Sequence, residues 1–203
     1  MKVEDFYAEA IRLAQKDYWT IFFNVIIYFL LIGFATITII GLLATPALAV
    51  GLARFLLRAA RGEEVDVGDS ISWGFQDGMW LKSLVFFLIA GIGMFIGFLL
   101  LIIPGIYLSV AWILGVYLLV DKGLSPMDAL SKSRDLVHEI GFWKVLVTIW
   151  AMTIGVQLIS FIPILGFIAL IFLYPFTMMV LVSIYQYAIK GETEVIDAKF
   201  EAD

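Results

Sequence analysis

Three long stretches of this chain carry no charged side chain: residues 18–53, 83–120 and 145–189, which are 36, 38 and 45 residues long. A helix needs ~20 apolar residues to cross a bilayer core of ~30 Å, so each stretch is too long for one crossing and suits two. Each also holds a proline beside small residues, at Pro46, Pro104 and Pro163. The pattern therefore predicts an all-α membrane protein with six transmembrane helices, arranged as three helical hairpins. The spacing places the helices at 19–41, 44–60, 81–102, 105–121, 144–161 and 165–189. Pro46, Pro104 and Pro163 then fall at tight extracytoplasmic turns, where a helix start tolerates proline. Pro175 falls inside the last helix and is expected to kink it.

The charged blocks have a pattern of their own. Ahead of each hairpin, apolar residues recur at helical spacing: Phe6, Ala10, Leu13 and Ala14; then Val67, Ile71, Gly74 and Phe75; then Leu130, Ser133, Leu136, Val137 and Ile140. The third segment opens on Ser125, Pro126 and Asp128, a capping serine with proline at the first helical position and an acid at the third. Each segment reads as a cytoplasmic in-plane amphipathic helix, followed by Trp19, Trp80 or Trp143 at headgroup level. Trp19 to Trp80 is 61 positions and Trp80 to Trp143 is 63, so the single domain 1–203 divides into pseudo-repeats at approximately 3–62, 66–124 and 126–191. The pairs Ala47/Gly51, Gly93/Gly97 and Ala111/Gly115 suit close helix packing within one subunit.

Composition narrows the class. Hydrophobic residues make up 63% of the chain and charged residues 15%, and the mean hydropathy of +1.02 lies far outside the range of soluble domains. The net charge of −5 argues against nucleic acid as a partner. With no cysteine there is no disulfide framework and no thiolate chemistry. The acidic start, from Met1 to Asp5, does not read as a signal peptide. All 13 basic residues lie in the charged blocks, which an even number of crossings puts on one side. The positive-inside rule then predicts a multi-pass cell-membrane protein with both termini and the loops 58–82 and 121–144 in the cytoplasm.

Few residues remain for chemistry. Ion-coupled transport and intramembrane catalysis usually leave an ionisable group within a span, and these stretches hold no acid, lysine, arginine or histidine, so we expect no enzyme, cofactor or metal. Most polar residues in the stretches read as helix-to-helix or side-chain-to-backbone donors. Asn24 and Gln157 are the better candidates for an intramembrane polar cavity, because a primary amide in lipid needs several partners. Tyr174, Pro175 and Thr177 join them: Pro175 frees the carbonyl of Ile171, which Thr177 or Gln157 is placed to approach. Arg54, Arg58, Arg61, Lys82 and Lys144, at the membrane edge, are candidate contacts for lipid headgroups. His138, the only histidine, reads as solvated. Glu63, Glu64, Asp66 and Asp69 read as a solvated loop with an aspartate helix cap at Asp66 or Asp69.

The run Gly51 to Glu63, with Arg54, Arg58 and Arg61 in it, resembles a segment of bacterial and archaeal polytopic integral-membrane families of unknown function. Pro104 to Leu108, Gly123 to Ser133 and the later Pro175 to Tyr185 run are similar to the same families. These include the membrane domain fused to glycerophosphodiester phosphodiesterases. The resemblance implies the six-span architecture and no catalytic residue, since nothing here has room for the phosphodiesterase barrel. Mitochondrial carriers share a three-hairpin plan, but their charged proline signature is missing here.

Three function classes follow. The first is a non-catalytic module whose partners are membrane lipids, a membrane protein or another copy of itself. The second is a membrane-shaping protein whose short hairpins insert mainly into the cytoplasmic leaflet. The third is a small secondary transporter or passive pore. The orientation is the first testable outcome: protease applied to right-side-out vesicles leaves the C-terminal tail intact, and removal of the tail from outside overturns it.

Overall fold

The computed structural model describes residues 3–35, 39–162 and 165–202. Regular structure among them is helical: α1 (Val3–Lys16), α2 (Tyr18–Ala35), α3 (Ile39–Arg61), α4 (Asp69–Phe75), a 3₁₀ turn (Gln76–Gly78), α5 (Met79–Leu100), α6 (Ile102–Ala111), α7 (Gly115–Asp121), α8 (Pro126–Ile140), α9 (Phe142–Ser160) and α10 (Leu165–Ala202). Among the described residues five helical segments are long and apolar enough to cross a membrane: Leu43–Arg61, Asp69–Leu100, Ile102–Asp121, Phe142–Ser160 and Ile171–Thr193. The pair α1 and α2, bent by 95°, makes a sixth if it is taken as one broken span.

The long helices pack in a closed series. α2 lies on α3, α3 on α5, α5 on α6, α6 on α9, α9 on α10, and α10 returns to α2. The short connecting helices dock on this series: α4 on α3, α8 on α7, and α1 on α10. On α1, the buried positions are Phe6, Ala10, Leu13 and Ala14; on α8 they are Ala129, Leu130, Ser133, Leu136, Val137 and Ile140. The α8 start is built as its residues dictate, with the Ser125 side chain accepting from the Asp128 amide and Pro126 at the first helical position.

α4 buries only part of the face that its apolar pattern marks: Gly74 is buried and Ile71 half-buried. Val67, just before it, and Phe75 stay 50% and 47% exposed, while Ser70 and Gly74 are buried. The cause is backbone approach. A Cβ at Gly51 would stand 1.8 Å from the Ser70 carbonyl oxygen, and one at Gly74 would stand 2.1 Å from that of Ala47. The two helices run antiparallel with Ala47/Gly51 against Ser70/Gly74, and only small residues permit that. Gly93 faces the Trp112 indole, Gly97 faces Gly105, and Gly115 faces Phe86, so the other small-residue pairs also serve packing within the chain.

The prolines divide. Pro104 sits in the first turn of α6, where no helical donor is lost. Pro46 is not at a turn: α3 begins at Ile39 and carries it inside. Proline there removes one ladder bond and pushes the preceding turn apart. Beside it the Trp80 indole N–H donates to the Leu43 carbonyl at 2.9 Å, which ties the start of α5 to this turn of α3. Pro163, Thr36 and Thr38 lie outside the described residues. One other boundary differs from expectation. The α10 helix runs on through Gly191 to Ala202, whereas Gly62, with φ +78°, closes α3.

The helix predicted over 105–121 is broken between Ala111 and Gly115. The Ser133 hydroxyl from α8 fills the break. It donates to the Ala111 carbonyl at 2.8 Å and accepts from the Leu114 amide at 3.1 Å, so one side chain replaces both halves of the interrupted ladder. Each buried backbone group left unpaired costs about 1–3 kcal/mol. Ser133→Ala is therefore expected to lower unfolding stability by about 2 kcal/mol or more, while Ser131→Ala, at an exposed position, changes it little. Thermal or denaturant unfolding in detergent micelles measures the difference.

Candidate functional site

The largest feature of the surface is apolar. Along α5 the exposed residues Leu81, Val85, Leu88, Ile92, Phe95 and Leu99 recur every three or four positions. The stripe continues over the α5–α6 corner, where Leu100 to Ile103 are 67–78% exposed. A second stripe on α9 runs through Trp143, Val147, Trp150, Ile154, Leu158 and Phe161. A patch of this extent marks contact with lipid or another apolar partner. The buried core draws most on α1, the C-terminal part of α3, α7, α8 and the stretch Met179–Ala188 of α10, with Phe86 and Ala90 from α5 and Val145 and Leu146 from α9.

The five residues offered as a polar cavity have separate surroundings. Asn24 is fully buried and clamps the segment that leads into α4. Its Oδ1 accepts from the Gly68 amide at 3.2 Å and the Ser70 hydroxyl at 2.8 Å. Its Nδ2 donates to the Thr20 and Asp66 carbonyls, each at 3.3 Å. Gln157 is exposed on α9. Pro175 is buried, and aromatic rings surround it. Phe172 stacks on Phe22 with centroids 5.1 Å apart, Tyr174 meets Phe29 at 4.6 Å, and Phe176 meets Tyr18 at 5.4 Å. The Tyr18 hydroxyl donates to the Phe172 carbonyl at 2.7 Å, and Thr177 donates to Tyr174 rather than to Ile171. These contacts pack the α10 segment around Pro175 on α2.

The five candidate headgroup cations divide three to two. The Arg54 and Arg58 guanidinium groups lie over the Trp73 ring at 5.8 and 4.6 Å. Arg58 also pairs with Glu63, and Arg61 pairs with Asp121 at 2.6 Å. Lys82 and Lys144 are exposed. Asp121, at the end of α7, also accepts from the Tyr185 hydroxyl at 2.7 Å, and Tyr185 stacks near Tyr117 with centroids 5.5 Å apart. This clamp ties α3, α7 and α10 together. Sequence reasoning missed it, because an aspartate just past an apolar stretch looks like an ordinary span end. Lys132 and Glu192 form a further pair between α8 and α10.

Two grooves open along α10. One, of about 690 Å³, is lined by Asp5, Glu9, Arg12, Gln186, Tyr187 and Lys190. The other, of about 580 Å³, lies between Leu118, Leu124 and Ile189, with Lys122, Asp128 and Lys132 on its rim. Glu9, hydrogen-bonded to Arg12 at 2.6 Å, holds that guanidinium above its ordinary pKa. The Tyr107 hydroxyl meets His138 Nε2 at 2.8 Å. Asp69 accepts from the Asp66 amide at 2.8 Å. Among the described residues no cluster of three or more histidines and carboxylates is arranged to hold a metal ion.

No family model matches the chain, and neither a curated protein nor a solved structure is similar to it.

The Asn24 clamp is open to direct test. Asn24→Leu strands the Gly68 amide and the Ser70 hydroxyl, and at about 1–3 kcal/mol for a buried unpaired group the loss is expected to reach about 3 kcal/mol. Thr153→Val, on exposed α9 surface, serves as the control. Equal unfolding midpoints for the two variants in micelles overturn the assignment.

Proposed function

We propose that this chain is a non-catalytic multi-pass membrane protein that acts through its lipid-facing surface. In this reading it lies in the cell membrane as three hairpins, with both termini and the charged loops in the cytoplasm. The observation that carries the reading is the pair of apolar stripes on α5 and α9, from Leu81 to Ile103 and from Trp143 to Phe161, with residues up to 78% exposed. Water does not sustain such a surface, and acyl chains do. The absence of charge from residues 83–120 and 145–189 supports the same placement. The resemblance of Gly51 to Glu63 to polytopic membrane families agrees with it and adds no catalytic residue.

Use of the polar groups favours this reading over a transporter. Asn24 serves as a clamp, and Thr148, Thr153 and Ser109 each donate to the carbonyl four residues earlier in their own helices. Lipids and membrane proteins are the partners this surface suits. The ~60-residue repeat also belongs to the proposal. Each connecting helix docks on the returning helix of the unit before it, and α1 closes the cycle on α10.

Brominated acyl chains test the placement. In vesicles of brominated phosphatidylcholine, a variant retaining only Trp150 is expected to lose most of its fluorescence, and one retaining only Trp73, held under Arg54 and Arg58, much less. Quenching of Trp150 by aqueous iodide and not by the brominated chains overturns the reading.

A further inference from the structure

We infer that this protein is wedge-shaped across the bilayer and partitions to curved membrane, with its charged side on the convex face; the inference rests on the membrane placement proposed above. The connecting segments do not stop at the ends of the long helices. Trp80, which follows α4, bonds to Leu43; His138, near the end of α8, bonds to Tyr107; Tyr18, which follows α1, bonds to Phe172. Leu43 lies 11 positions before Arg54 (54 − 43), Tyr107 14 before Asp121 (121 − 107), and Phe172 18 before Lys190 (190 − 172). At ~1.5 Å per helical residue Leu43 lies roughly 16 Å from Arg54 along α3, and Phe172 roughly 27 Å from Lys190 along α10. Each is half or more of a ~30 Å hydrocarbon core.

Among the described residues, the charged half of the bundle thus holds α1, α4 and α8 in addition to the long helices. The opposite half holds only the ends of the long helices, and there Leu99, Ile103 and Phe161 are 73%, 78% and 77% exposed. A helix ~10 Å across occupies about 80 Å² of membrane area, so three add roughly 240 Å² on the charged side and less toward the opposite side. A second observation points the same way. Both grooves, with Glu9, Arg12, Lys122 and Lys132 on their rims, open on the charged half. Headgroups and water must follow those side chains inward, because a charge within hydrocarbon is costly. The leaflet on that side is both spread and thinned. A bilayer accommodates such an inclusion at least cost where that leaflet forms the convex surface.

The test uses the full chain, labelled at its C-terminus and reconstituted into giant vesicles of phosphatidylcholine with one-fifth phosphatidylglycerol. Membrane tethers are drawn, and protein density is compared with a lipid dye at several radii. Protease access to the tag fixes which side faces out. The expected result is at least a twofold enrichment in narrow tethers for molecules with the charged side outward, and depletion for the opposite orientation. Equal density at every radius, in vesicles where Trp150 is quenched by brominated chains, overturns the wedge and leaves the membrane placement standing. Failure of that quenching removes the membrane placement itself, and the wedge with it. Gly51→Leu, which drives a side chain into the Ser70 carbonyl and undocks α4, is expected to reduce enrichment, and undiminished enrichment overturns the part given to α4. Where that variant does not insert, the wild-type tethers decide the question alone.

Discussion

In an apolar environment every backbone amide and carbonyl must find a partner within the protein, because neither lipid nor a packed core can supply one. This chain interrupts its own helices at several points, and side chains from other elements bond backbone groups at or near them. Ser133 spans the break between α6 and α7. Near Pro46 and Pro175, Trp80 and Tyr18 donate to the Leu43 and Phe172 carbonyls and so tie α5 to α3 and α2 to α10. Asn24 takes up the backbone of the segment from Asp66 to Gly68. These donors come from elements distant in sequence. The connecting helices and the long helices therefore hold one another in place, and neither set is complete alone.

Close approach makes those bonds possible. Gly51 and Gly74 bring α3 and α4 within backbone contact, and Gly115 leaves room for Phe86 and Leu130. Without a Cβ in the way, Ser70 comes within 2.8 Å of Asn24, and α8 comes near enough to seat Ser133. Polar clamps then close the charged end, where Arg61, Asp121 and Tyr185 join three helices. An ion pair with one partner this well shielded is costly to break, since the remaining carboxylate has little water to fall back on. The apolar stripes face outward along the length of α5 and α9 and are most exposed at the opposite end, at Leu99, Ile103 and Phe161.

The sequence by itself determined the helical class, the presence of several helices long and apolar enough to cross a membrane, the start of α8 at Ser125, and the buried faces of α1 and α8. Those properties are local. They follow from the lack of charge, from the 3.6-residue period and from capping chemistry, and each can be read within one segment. Tertiary structure alone decided the rest. The break after Ala111 carries no glycine or proline and depends on Ser133 from another helix. Pro46 sits inside α3, where Trp80, 34 positions later, bonds the Leu43 carbonyl of the same turn. The face that α4 buries was set by backbone approach at Gly51 and Gly74 more than by its apolar residues. Asp121 gained its partners, and Asn24 its clamp, from residues more than 40 positions away, and pairings at that distance are fixed by packing, which no local pattern encodes.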